Sequence, residues 1–306
     1  MDGLPWELGH KNAEDYIEIG REAAKAMKAV DNTIKLVACG SSWYSSGTWI
    51  DWNRKILAGL GDRVDYLSIH SYWENSPDYL NYMGASARIF EDRINITANE
   101  IKAVSAEKGF KNPIALSVDE YGAFGRTFMN VLPVAQSLNS FIRHADVVKM
   151  ANFTTMTSLL ASDPKQGTFK SPLFYTFKLF SNNCIGTSVD TYVACDTFNT
   201  EKYKGIPYLD VTTVYSKETN TVFVNVVNRS QDKAITANII NNSGVFSGKA
   251  EASMINSDDL KAAFEYDKQS QYKPVIKEAN SSGNKLAYTF PPHSFTQIKI
   301  AVDVAK

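Results

Sequence analysis

The feature that most constrains this fold is an alternation of helix-period and strand-period segments over about the first 180 residues, which then stops. Residues 13–30 place Tyr16, Ile19, Ala23, Ala26, Met27 and Val30 on one stripe of a helix, with Asn12 as its N-cap. A strand at Ile34–Gly40, a polar loop from Ser41 to Gly47 and a helix at 48–59 follow. Next come a strand at Val64–His70, a polar loop from Glu74 to about Tyr82, and a helix near 85–108. A strand over 114–120, a helix at about 131–144, a strand at Val147–Asn152, a loop at Ser162–Ser171 and a helix at 172–181 complete the series. Short apolar strands separated by helices predict an α/β fold with a parallel sheet. Near residue 187 the helical period vanishes. Thr191–Val193, Leu209–Tyr215, Thr221–Val227, Ala234–Ile239 and Phe295–Ile300 are rich in β-branched and aromatic residues, with turn formers such as Lys217–Asn220 between them. That pattern predicts an antiparallel β-sandwich, with the boundary at about 183–190. The expected division is 1–186 and 187–306.

A chain of 306 residues can bury a sizeable core in two domains. Its formal net charge of -1 gives no electrostatic case for nucleic acid or an acidic membrane surface as partner. No apolar run approaches the ~20 residues of a membrane span. Met1–Trp6 carries neither a basic nor an apolar stretch of a secretory signal. Cys39, Cys184 and Cys195 are too scattered for a disulfide framework or a zinc site and are expected as small buried hydrophobes. The four histidines, His10, His70, His144 and His293, show no metal spacing, and no phosphate loop is present, so no cofactor is expected.

Chemistry concentrates where the apolar strand Ile114–Val118 ends in Asp119-Glu120-Tyr121-Gly122. Burying a carboxylate is costly unless it is paired or used. Adjacent strand residues point to opposite faces, so Glu120 is expected in the pocket and Asp119 facing away, anchoring backbone or a cation. His70 and Tyr72 end the preceding strand and should border the same pocket, where a Tyr hydroxyl or His nitrogen could hold Glu120 ionised. Active sites of barrels and open sheets alike lie at these strand ends. A carboxylate held so suits glycoside hydrolysis, which needs two carboxylates, ~5 Å apart in retaining enzymes. A triad of His70, Ser41 or Ser42, and Asp119 is the weaker alternative, since there is no Gly-x-Ser-x-Gly elbow.

The chain resembles the C-terminal part of a family 51 glycoside hydrolase, an α-L-arabinofuranosidase. The likeness is carried by Met1–Lys11, Leu36–Ser42, Val64–Tyr72, Val118–Tyr121, Phe177–Ser181 and Pro291–Phe295. It implies the C-terminal half of a (β/α)8 barrel followed by a jelly-roll-like β-sandwich, and a retaining, exo-acting mechanism with Glu120 as nucleophile. His70 and Tyr72 would be its neighbours and Trp6 a wall near the leaving-group sugar. With Phe124, from the aromatic cluster after Glu120, these make the expected substrate contacts. The partner implied is an arabinofuranosyl-containing saccharide; a homo-oligomer stays open for the full-length protein, and the cytoplasm is favoured as its location.

Two departures stand out. The family's acid/base Glu lies directly before the segment matched by Met1-Asp2-Gly3, so the chain is expected to lack it, together with the first four barrel strands. Glu7 and Glu74 are the only weak substitutes. Where many relatives carry a substrate-binding Gln, the chain has Ser171. The alternatives to an arabinofuranosidase are a carbohydrate-binding remnant without turnover, or a related barrel endoglucanase or xylanase.

Overall fold

The computed structural model describes residues 11–42, 44, 47–73, 76–122, 125–154 and 156–304. The chain divides into two compact units. The first takes the chain up to Tyr72, Ile89–Gly122 and His144–Thr154; the second takes Trp73–Arg88, Ala123–Arg143 and Thr155–Lys306.

The first unit holds a four-stranded sheet in the order β1 (Val37–Ala38), β2 (Tyr66–Tyr72), β3 (Ala115–Gly122), β4 (Val148–Phe153). Every pairing in it is parallel. Helices α1 (Ala13–Val30) and α2 (Trp49–Leu60) precede β2, and α3 (Tyr79–Lys108) lies between β2 and β3. Leu67 and Ile69 of β2 and Leu116 and Val118 of β3 are fully buried, as are Ile56 and Ile94 from α2 and α3. These alternate strand positions and helical stripes meet as the sequence pattern requires.

The first strand is far shorter than the expected Ile34–Gly40. The N–H groups that flank it bond side chains, while the Leu36 carbonyl accepts from the N–H groups of Asp65 and Tyr66. The Leu36 N–H donates to Asp65 Oδ2 at 2.9 Å, the Cys39 N–H to Tyr16 Oη at 2.9 Å, and the Gly40 N–H to Ser68 Oγ at 3.3 Å. Helix α1 begins at its predicted cap, where Asn12 Oδ1 accepts from Asp15 N–H at 2.7 Å. Its expected stripe is only partly covered: Ile19, Met27 and Val30 are exposed, because α1 packs on α2 through Ile17 against Gly59 and Gly20 against Leu60. Helix α3 starts earlier than periodicity suggested. Asp78 caps it, accepting from Asn81 N–H at 2.7 Å.

In the second unit, α4 (Val131–Arg143), the short α5 (Met156–Leu159), the hairpin β5 (Leu160–Asp163) and β6 (Gly167–Lys170), and α6 (Pro172–Asn183) come first. The hairpin occupies what composition predicted as a loop; Asp163 Oδ1 accepts the N–H of both Lys165 and Gln166 at 2.8 Å and shapes its turn. Ser171 is fully buried as the N-cap of α6, its hydroxyl donating to the Ser158 carbonyl at 2.6 Å.

The remaining strands are β7 (Thr187–Val189), β8 (Thr197–Phe198), β9 (Ile206–Pro207), β10 (Leu209–Ser216), β11 (Thr221–Asn228), β12 (Ile235–Ile240), β13 (Gly244–Ile255), β14 (Val275–Ser282), β15 (Lys285–Phe290) and β16 (Ser294–Val304). Eight of them form one antiparallel sheet in the order β12-β15-β14-β13-β16-β11-β10-β7. Leu286 and Phe290 of β15 share one apolar core with Val224, Val226, Ala252, Ile298 and Ile300, so the sheet closes over itself as a sandwich. Thr191–Val193 is not a strand: β7 ends at Val189, where Thr191 Oγ1 bonds the Val189 carbonyl. The three cysteines are free and half-buried rather than buried. Among the described residues, no helix is long and apolar enough to cross a membrane.

Candidate active site

Parallel pairing brings the C-terminal ends of β2 and β3 side by side. The register runs evenly from Tyr66 opposite Ala115 to Ile69 opposite Val118, then slips, so that His70 lies opposite Glu120. The other neighbour shows the same excess: Val118 pairs with Ala151 and Tyr121 with Phe153, three steps of β3 against two of β4. The surplus residue therefore belongs to β3, as a bulge at Asp119–Glu120.

That bulge overturns the expectation that Asp119 faces away. Both carboxylates reach one imidazole. His70 Nδ1 is 3.5 Å from Glu120 Oε2, and His70 Nε2 is 3.5 Å from Asp119 Oδ1. The hydrogen-bond donor to Glu120 is Tyr72, whose hydroxyl lies 2.8 Å from Oε2. Tyr72 follows His70 by two residues and so shares its face of β2. Burial, reinforced by the Glu120 carboxylate, pushes the Tyr72 phenol up to about 12 although a Thr154 contact opposes it. The hydroxyl thus keeps its proton and remains a donor through neutral pH.

Asp119 is set further back. Burial raises its carboxyl above the ordinary range, and the charge of Glu120 adds to this. His70, the residue's own N–H and the Ser68 hydroxyl pull the other way. Oδ1 of Asp119 is buried without a hydrogen-bond partner among the described residues. The Glu120 side chain is 43% exposed against 31% for Asp119, so Glu120 is the carboxylate that an incoming molecule meets first. Both line a cleft of about 360 Å³ with His70, Ser42, Ser68 and Cys39. A carboxylate held by a neutral phenol, ionisable and open to solvent, is equipped for nucleophilic attack.

The end of β1 is tied to this point from behind. Ser41 is fully buried; its N–H donates to Asn53 Oδ1 at 2.8 Å and its carbonyl accepts from His70 N–H at 3.3 Å. Asn53 in turn donates to Glu100 Oε2 at 3.4 Å. Burial pushes the Glu100 carboxyl up to about 7, against the Asn53 hydrogen bond and the Arg54 charge. The burial of Ser41 removes it from the serine-triad alternative, whereas Ser42, the other serine of that alternative, lines the cleft with His70 and Asp119. His144 and His293 serve structure: His144 Nε2 meets Glu91 Oε2 at 2.7 Å, and the ring nitrogens of His293 face the carbonyls of Gln231 and Ser257. Trp6, Phe124, Glu7 and Glu74 lie outside the described residues. Sequence reasoning missed Ser68, Thr154 and Asn53. Ser68 was findable, being two residues before His70 on the same strand face; Asn53, on a helix, was not.

A family described as "Alpha-L-arabinofuranosidase C-terminal domain" matches residues 119–294, more than half of the chain. The chain belongs to the α-L-arabinofuranosidase family. Among curated relatives of this arabinofuranosidase-family chain, "Intracellular exo-alpha-(1->5)-L-arabinofuranosidase 1" of Bacillus subtilis is 30% identical, the match covering 98% of this chain and 65% of the relative. "Exo-alpha-(1->6)-L-arabinofuranosidase" of Bifidobacterium longum is 27% identical over 98% of this chain and 64% of its own length. The solved structure of a family 51 α-L-arabinofuranosidase from Bifidobacterium longum superposes with a TM-score of 0.88 at 19% identity, covering 97% of this chain and 65% of that one. The fold is therefore that of the C-terminal part of these proteins, half of a (β/α)8 barrel and a β-sandwich, and the chain spans just under two thirds of the relatives' length.

Proposed function

We propose that this chain carries the nucleophile of a retaining, exo-acting α-L-arabinofuranosidase, and that Glu120 is that nucleophile. The observation that carries the reading is the bulge that aims Glu120 at the Tyr72 hydroxyl. Family membership supplies the substrate class: terminal arabinofuranosyl groups of arabinose-containing saccharides. In the first step a Glu120 oxygen attacks the anomeric carbon, the glycosidic C–O bond breaks, and its electron pair leaves with the departing oxygen. Tyr72 steadies the carboxylate until the new bond forms, and His70 with Asp119 shapes the floor beneath the sugar. Trp6 and Phe124 complete the proposed contacts. In the second step a water oxygen attacks the anomeric carbon, the bond to Glu120 breaks with its electron pair returning to the carboxylate, and the water's proton passes to solvent. No residue of the cleft is assigned the acid role, so a substrate whose leaving group departs without a proton isolates the nucleophile's contribution.

The division into a barrel half over 1–186 and a sandwich over 187–306 belongs to the same proposal; it is supported by β7, the first strand of the antiparallel sheet, which begins at Thr187. The name of the Bacillus subtilis relative supports a cytoplasmic location. The test is a dinitrophenyl arabinofuranoside: a burst of dinitrophenolate with arabinose attached at Glu120, read by mass spectrometry of peptides, is expected. A folded chain that binds arabinofuranosides and yields neither burst nor adduct would establish a binding role instead.

A further inference from the structure

Arg93 stands behind the sheet, on α3, where the expected mechanism has no use for it. Its Nη1 donates to Ser71 Oγ at 2.9 Å and to the Tyr72 carbonyl at 3.4 Å. The guanidinium lies 5.4 Å from the ring centroid of Tyr44 and 5.8 Å from that of Trp49, and those two rings meet edge to face. Trp49 is almost wholly buried and is itself fixed by its Nε1–H donating to Thr97 Oγ1, one turn along α3 from Arg93. A planar cation packed against two touching rings has little freedom to redirect its donors.

What Arg93 grips is the last stretch of β2. Strand alternation sends Ser71 backward to the helices, where it is fully buried, and Tyr72 forward to Glu120. Tyr72 is also the final residue of the strand. A strand end has fewer ladder bonds to hold it than a strand middle, so the direction of the Tyr72 side chain depends on whatever fixes its backbone there. We infer that Arg93 is a positioning residue: by clamping Ser71 and the Tyr72 carbonyl from behind, it sets where the Tyr72 hydroxyl meets Glu120. The inference rests on the reading of Glu120 as nucleophile, and adds a group that acts on it through Tyr72 without touching the sugar.

A kinetic double-mutant cycle on the full chain tests it, with the rate of Glu120 labelling by the dinitrophenyl arabinofuranoside as readout. Arg93→Met keeps the apolar stem and removes the donors. It is expected to slow labelling about 10-fold when Tyr72 is present, and less than about 2-fold in the Tyr72→Phe background, because the group it positions is then gone. Equal slowing in both backgrounds overturns the positioning role and leaves Arg93 as a tie between helix and sheet. Should Arg93→Met lose its cooperative melt, Ser71→Ala breaks the same link from the strand side and carries the same expectation through the same cycle. Absence of any Glu120 labelling in the unsubstituted chain overturns the nucleophile reading, and this inference with it; labelling with additive effects overturns this inference alone.

Discussion

At the scale of single residues, the site is one carboxylate and the groups that hold it. Glu120→Gln removes the carboxylate oxygen proposed as nucleophile while keeping the shape, and should abolish the covalent adduct with little change in melting temperature; an adduct that persists on another residue would reassign the nucleophile. Tyr72→Phe removes one hydrogen bond to a charged group, worth about 1.5–3 kcal/mol when formed. It should slow labelling about 10-fold or more, as expected for a donor of fixed geometry. Steady-state and burst kinetics on the folded variant check this. Glu120, His70 and Tyr72 were legible in the sequence, because each ends a strand whose apolar run announces it. Arg93 was not: it lies 21 residues along the chain from Tyr72 on a helix of mixed character, and only packing shows that its head turns toward β2.

At the scale of elements, the close approach of β1 to β2 is decisive. A Cβ on Gly40 would lie 1.9 Å from the Ser68 carbonyl oxygen. Gly40→Ala should therefore push the strand ends apart and cost about 1–3 kcal/mol, measured by chemical denaturation, with labelling of Glu120 slowed as well. The α2–α3 contact gives a pH prediction. The Glu100 carboxyl moves from an ordinary 4.5 to about 7 on folding, through burial. The folded state then binds its proton more tightly than the unfolded state, so stability falls as pH rises through that window and the full penalty is present above about 7. Glu100→Gln removes the titration. Its gain in stability over the unsubstituted chain should be small at about pH 5 and larger at about pH 8. A difference that stays constant with pH would show that Glu100 does not carry this proton. The boundaries of α1 and α2 and the positions of β2, β3 and β4 followed from periodicity and caps, whereas the start of α3 did not. The hairpin over β5 and β6 did not, since its turn is built by Asp163 rather than by an apolar pattern. Strand β13 was missed for a related reason: Gly244, Gly248 and Lys249 interrupt its β-propensity, and its pairing with β16 itself slips between Ser247 and Glu251.

At the scale of the whole molecule, the parallel sheet has β1 and β4 at its edges, each with one partner strand among the described residues. Open edges invite pairing with other chains. The 306-residue chain is expected to associate with itself through these edges, as read by sedimentation; a monomer across the concentration range would overturn this.

The sequence by itself determined the order of elements, the change from α/β to β character near residue 187, and the presence of Glu120, Tyr72 and His70 at strand ends. These properties are written in periods of two and 3.6 and in neighbouring residue types, which a linear reading can see. Tertiary structure alone decided which way the two carboxylates face. The Asp119–Glu120 bulge is a slip in register that β3 makes at the same point against both of its neighbours, and a register slip belongs to the pairing of strands rather than to any one of them.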